Sequence, residues 1–160
     1  MAKVVLVTGA SRGIGQAIVN NLCNDGNSEV VVVGIARSEG PLSAIKGVHG
    51  DKFEYIVGDI SDEKVLKKYV EYAIKKFGRI DAVVANAGVL EPVQDVNNID
   101  VAQWKRLFDV NFFSIVSLVS LSLPHLKKVN GNIVFVSSGA STKPYVCIMG
   151  RSRKPTPTIY

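Results

Sequence analysis

Apolar residues follow two alternating rhythms along this chain. Five short runs, Val4–Val7, Val30–Ile35, Phe53–Val57, Ala82–Ala85 and Ile133–Val136, are β-branched or apolar with little polar alternation. That is the pattern of strands covered on both faces. Between them the period lengthens to that of a helix. Ile14, Ile18 and Leu22 form one stripe, and Val65, Leu66, Tyr69, Val70 and Ile74 form another, opened by Asp62 and Glu63. A third helix is predicted from about Asp100 through Trp104, Leu107 and Phe108 into Phe112–Leu123, a run broken by Ser114, Ser117, Ser120 and Ser122 and closed by Pro124. The segment Gly40–Gly50, with three glycines and Pro41, predicts only a weak helix. Strand alternating with helix implies right-handed crossovers and an α/β fold with a doubly wound parallel sheet. After Val136 the alternation stops, so the sheet reads as truncated after its fifth strand, with that strand left uncovered. Residues 1–142 are expected to form the domain. Residues 143–160, basic, proline-containing and without apolar period, read as a disordered tail.

Composition changes this picture little. A chain of 160 residues with 47% hydrophobic and 21% charged residues is one ordinary globular domain. The net charge of +5 would suggest a polyanion partner, but Lys143, Arg151, Arg153 and Lys154 all lie in the tail. Without them the body carries about +1, so no specific nucleic-acid partner is expected. The run Phe112–Leu123 is shorter than the ~20 residues a membrane span needs, and no membrane partner is expected. Cys23 and Cys147 have no motif spacing, and His49 and His125 are isolated, so no metal site is expected. No signal-like segment opens the sequence, which points to a reduced, cytoplasmic protein.

The chemistry begins where the first strand meets its helix. Val4–Val7 runs into Thr8-Gly9-Ala10-Ser11-Arg12-Gly13-Ile14-Gly15. Gly9 suits a tight turn, Gly13 lets a pyrophosphate approach the backbone, and Gly15 allows close helix–strand packing. The helix start adds free N–H groups and a favourable dipole. This is the dinucleotide turn of a Rossmann-type sheet. The second strand ends in Ala36-Arg37, where a site selecting NAD places an acid for the ribose hydroxyls. Arg37 and Arg12 both suit a 2′-phosphate, so the expected cofactor is NADP(H).

The spacing of that turn, with the motifs that follow it in order, resembles the short-chain dehydrogenase/reductase family from Lys3 to about Pro144. Asp59-Ile60 matches the position that holds the adenine ring, and Asn86-Ala87-Gly88 the motif that lines the cofactor site. Asn111 matches the asparagine of the catalytic tetrad, and Ser138 the catalytic serine. The runs Ala85–Gln94 and Val110–Ser117 look most like fungal sepiapterin-reductase-like members, among them benzil reductases that form (S)-benzoin. The resemblance implies an NADP(H)-dependent carbonyl reductase acting on a small ketone or 1,2-diketone, homo-oligomeric at full length.

It also implies a partner for Ser138. In the family a tyrosine thirteen residues after the serine donates the proton, and a lysine four further on lowers its pKa from ~10. Those positions hold Arg151 and Pro155; Tyr145 is followed four later by Met149. Three readings stay open: a reductase interrupted near Tyr145, a non-catalytic dinucleotide-binding module, or a fragment that dimerises through its serine-spaced helix. The first is favoured as ancestry, with this chain itself expected to be inactive.

Overall fold

The computed structural model describes residues 2–26, 29–90 and 99–139. The tail expected from 143, with Tyr145, Cys147, Arg151 and Pro155, lies outside these residues, as do positions 91–98.

Five parallel strands form one sheet in the order β3-β2-β1-β4-β5: β1 Lys3–Thr8, β2 Val30–Ala36, β3 Phe53–Val57, β4 Ala82–Ala85 and β5 Asn132–Phe135. Each predicted run became a strand within a residue or so of its expected ends. The register pairs Val5 with Val32 and with Ala82, and Val84 with Val134. The pleat divides β1 between two cores. Val4 and Leu6 join Val33, Ile35, Tyr69 and Leu118 on one face; Val5 and Val7 join Val19, Val32, Leu42 and Phe53 on the other. Helices α1 (Gly13–Asn24) and α2 (Glu39–His49) cover the second face, while α3 (Glu63–Phe77) and α5 (Ser114–Leu126) cover the first. This is the doubly wound Rossmann-type sheet read from the sequence.

Two local expectations are corrected. The segment read as a weak helix is the eleven-residue α2. Pro41 lies in its first turn, where no intrahelical N–H bond is required, and burial of Leu42 and Ile45 outweighs the glycines. In α1 the buried line is Gly15, Val19 and Cys23, with Ile18 and Leu22 packed beside it. Ile14 is 63% exposed because the first turn of the helix overhangs a cleft instead of the core. As expected for a fifth strand without its covering helix, Val134 and Phe135 of β5 are half exposed.

Asp62 caps α3 by accepting the Lys64 N–H, and Asp100 caps α4 (Val101–Phe108) by accepting those of Ala102 and Gln103. A π-helical turn, Asp109–Phe113, joins α4 to α5. The continuous helix Val101–Val129 is longer than the apolar run alone, and by length and composition it could cross a membrane. Its Leu118 and Leu126 instead pack into the core shared with α3, making it a layer of the domain.

At the β3 edge, Glu54 binds Lys46 of α2 at 2.7 Å, Lys76 of α3 at 2.8 Å and the Tyr72 hydroxyl at 2.9 Å. Partial burial opposes its charge. The donors from Lys46, Lys76 and Tyr72 outweigh this and hold the carboxyl down at about 2. One carboxylate thus clasps the helix layers of both faces.

Candidate functional site

The carboxyl ends of β1, β2, β3 and β4 open on a cleft of about 610 Å³. In an open parallel sheet this is where a ligand is received. Gly9, Ser11, Arg12, Gly13, Ile14, Arg37, Asp59, Ile60, Asn86, Ala87 and Gly88 line it, joined by Ser38, Pro41, Val89 and Val110. Gly15 supports this wall from behind, and Asn111 and Ser138 stand outside the lining.

The glycine turn is held by a compact set of contacts. Gly9 and Ala10 donate to the Ile35 carbonyl at 2.9 and 3.3 Å, tying the turn to β2. The buried Thr8 hydroxyl accepts the N–H groups of Asn86 and Ala87, both at 3.0 Å. In return the Asn86 side chain donates to the Thr8 carbonyl at 2.9 Å. The end of β4 is therefore fastened to the end of β1. A Cβ at Gly15 would sit 2.2 Å from the Gly9 carbonyl oxygen and 2.6 Å from Asn86 Nδ2, so the helix can approach this closely only without a side chain. Gly13 differs. Its φ is +56°, which favours glycine, and a Cβ there would meet nothing within 4 Å. The space before Gly13 is the space a pyrophosphate would need.

Asp59 accepts the Ser61 N–H at 3.0 Å and the Ser61 hydroxyl at 2.8 Å. Burial works against its charge, yet the Ser61 donors and the positive fields of Arg37 and Arg106 keep the carboxyl below its ordinary range. Asp62, not Asp59, caps the following helix. Asp59 is left as a fixed acceptor on the cleft wall, beside the exposed Arg37.

Asn111 sits in the π-turn, where the wider winding re-aims a side chain. It donates to the Val89 carbonyl at 2.7 Å and accepts the Val89 N–H at 2.8 Å. Its amide therefore pins the backbone that follows Gly88. Ser137 and Ser138 follow β5, whose end is registered by Val136 N–H donating to the Ala85 carbonyl at 3.0 Å. Both serines are exposed, at the same end of the sheet as the cleft.

A Tyr-x-x-x-Lys sequence does occur among the described residues, at Tyr72 and Lys76, with Lys76 Nζ 3.4 Å from the phenol oxygen. It lies on α3, and both groups are engaged by Glu54 on β3. From β3 to β5 is four strand spacings, about 19 Å of sheet. This pair does not serve Ser138.

Sequence reasoning missed Gly34, Thr8 and Val110. A Cβ on Gly34 would stand 2.8 Å from Ala10 Cβ and from the Phe53 ring, so this glycine lets the turn lie on β2. A glycine inside a β-branched run was the available signal. The Thr8 and Val110 contacts are long-range and left none.

Sheet, glycine turn and cleft together define a dinucleotide-binding α/β domain. A sequence model of the short chain dehydrogenase family matches residues 3–150, and the chain belongs to that family. It is 61% identical over 140 residues to the uncharacterized oxidoreductase YIR035C of Saccharomyces cerevisiae, covering 88% of this chain and 55% of that one. It is 52% identical over 152 residues to the benzil reductase ((S)-benzoin forming) IRC24 of the same yeast, covering 91% and 57%. The crystal structure of YIR035C superposes with a TM-score of 0.84 at 59% identity, covering 89% of this chain and 56% of that one. The chain spans a little over half the length of these relatives.

Proposed function

We propose that this chain is the cofactor-binding half of an NADP(H)-dependent carbonyl reductase acting on a ketone or 1,2-diketone. The observation that carries the reading is the cleft itself. It sets a glycine turn with an open face at Gly13 beside Arg12 and Arg37, and β2 leads into Arg37 at the point where a site selecting NAD places an acid. The 52% identity to a benzil reductase supports the substrate class. Gly9, Gly13 and the first turn of α1 would hold the pyrophosphate. Asp59 and Ile60 would hold the adenine, Arg12 and Arg37 the 2′-phosphate, and Asn86–Gly88 the nicotinamide side. The cofactor, when bound, would supply the hydride. Ser138 would hold the carbonyl oxygen through its hydroxyl, and Asn111 would act by fixing the backbone at Val89. The proton donor is the group this arrangement lacks, because Arg151 and Pro155 occupy the positions that the family's tyrosine and lysine would take. The 160 residues alone are therefore assigned no turnover, and a cytoplasmic location fits the free, buried Cys23.

The test is NADPH oxidation with benzil, by this chain and by a chimera whose residues after about 144 come from a related reductase carrying Tyr-x-x-x-Lys. The chain should be silent and the chimera active. In the chimera Ser138→Ala should cost roughly 10²- to 10⁴-fold and Ser137→Ala much less. Turnover by the unaltered chain, or a folded, cofactor-binding chimera indifferent to Ser138, would overturn the assignment.

A further inference from the structure

Tyr69 is fully buried on α3 and does not line the cleft. Its hydroxyl is nonetheless placed with care: it lies 2.6 Å from the Val33 carbonyl of β2 and 3.3 Å from the Val7 carbonyl of β1. A phenol has one proton to give, and a three-centre bond shares it between the two carbonyls, chiefly with Val33 at the shorter distance. Each carbonyl has two lone pairs, so it can accept from Tyr69 while still serving the strand ladder. Burial raises the phenol far above its ordinary range, so the group is a permanent donor. Phenylalanine would fill the same apolar volume. The hydroxyl adds a tie between two strands at one particular level.

That level matters. Val7 is followed at once by Thr8 and Gly9, which receive Asn86 and open the turn. Val33 is followed by Gly34, on which Ala10 rests, and by Ile35, whose carbonyl accepts from Gly9 and Ala10. Tyr69 thus grips both strands one or two residues before they begin to build the cleft. We propose that Tyr69 is a positioning residue for the dinucleotide, its hydroxyl locking the ends of β1 and β2 in the relation at which the glycine turn accepts pyrophosphate. The proposal rests on the dinucleotide-binding reading of the cleft.

The test compares Tyr69→Phe with Val70→Ala, a core truncation on the same helix, using NADPH affinity well below both melting midpoints. Tyr69→Phe should weaken NADPH binding roughly 3- to 10-fold, the share of one hydrogen bond. It should also speed amide exchange at Gly9 and Ala10. Val70→Ala should lower the melting midpoint yet leave affinity within about twofold and those two amides protected. Equal affinity and protection in wild type and Tyr69→Phe would overturn the proposal. So would a Tyr69→Phe chain that cannot fold while Val70→Ala does, since the hydroxyl would then support the core as a whole. If the wild-type chain binds neither NADPH nor NADH, the cofactor reading itself fails. If it binds and Tyr69→Phe binds as well, only the role of Tyr69 fails.

Discussion

Gly15 and Gly13 stand two residues apart, and the structure predicts opposite consequences for replacing them. An alanine at Gly15 would put a methyl 2.2 Å from the Gly9 carbonyl oxygen and 2.6 Å from Asn86 Nδ2. The first neighbour is backbone and cannot swing away; the second gives up its bond to Thr8 when it moves. Overpacking of this kind costs about 1–3 kcal/mol, and the displaced hydrogen bond adds about 1 kcal/mol. Better helix propensity returns about 1 kcal/mol. The net loss is about 2 kcal/mol, or roughly 6–8 °C in melting midpoint for a domain of this size. Alanine at Gly13 has open space around it and costs only the left-handed backbone, about 1–2 kcal/mol. Its methyl, however, stands where the pyrophosphate must approach, and NADPH affinity should fall at least about tenfold, the worth of a charged hydrogen bond or more. Thermal melts followed by circular dichroism and NADPH titration by fluorescence separate the two effects. Gly15→Ala with an unchanged melt, or Gly13→Ala with unchanged affinity, would refute the reasoning.

At the cofactor's far end, Arg37→Asp should erase or invert a preference for NADPH over NADH of roughly 10- to 100-fold, one arginine–phosphate contact; equal affinities before and after would count against Arg37 as the 2′-phosphate ligand. Glu54 has a folded pKa of about 2, below its ordinary 4.5, so its stabilisation is complete above that ordinary value and disappears as pH falls towards 2. Urea unfolding should show Glu54→Gln less stable by about 1–3 kcal/mol at pH 7 and the gap closing in acid; a gap independent of pH would contradict the clasp. The exposed apolar stripe of Trp104, Phe108, Phe112 and Val116, with Val134 and Phe135 on β5, favours association. Phe112→Lys with Val116→Lys should shift the chain towards monomer in size-exclusion chromatography, and a wild-type chain already monomeric at high concentration would argue otherwise.

What could be read in the sequence was what short-range patterns encode. Apolar runs marked all five strands, and they are most uniform in β1 and β2, where both faces are covered. The glycine turn was legible because its residue types answer a local geometric demand, and Asp62 announced α3 as a cap. The failures share one cause. In α1 the buried line begins at Gly15, a residue with no side chain to register in a hydrophobic pattern, so the apolar stripe was read as starting at Ile14, which lines the cleft. In α2 two buried residues and the sheet beneath them outweigh poor propensity, which no window of sequence contains. The wide turn at Asp109–Phe113 that aims Asn111 at Val89 left no mark in the pattern. Thr8, Asn86 and Gly15 meet across more than seventy residues of chain, so their interlock is visible only once β1 and β4 lie side by side.

The two halves of the proposed chemistry stand on different parts of the sheet, and their support differs accordingly. The cofactor side rests on β1 and β2, buried on both faces, and on contacts that each bury a backbone polar group: Thr8 with Asn86 and Ala87, Gly9 and Ala10 with Ile35. Unsatisfied, such groups would cost about 1–3 kcal/mol apiece, so the turn is held by the same interactions that hold the fold. The serine side rests on β5, with Val134 and Phe135 half exposed and Ser138 on the surface. A catalytic hydroxyl must be held in place by packed neighbours to gain from proximity, and β5 with the residue after it offers Ile133 and Val136 to the two cores while Val134 and Phe135 stay half exposed. Among the described residues, the Tyr-x-x-x-Lys pair on α3 does not supply a donor. Tyr72 and Lys76 have the right spacing on a helix, but they are bound to Glu54 at the opposite sheet edge, where they join layers. On the proposed function, dinucleotide binding would rest on β1 and β2, whereas a proton donor for Ser138 would have to be packed over β5.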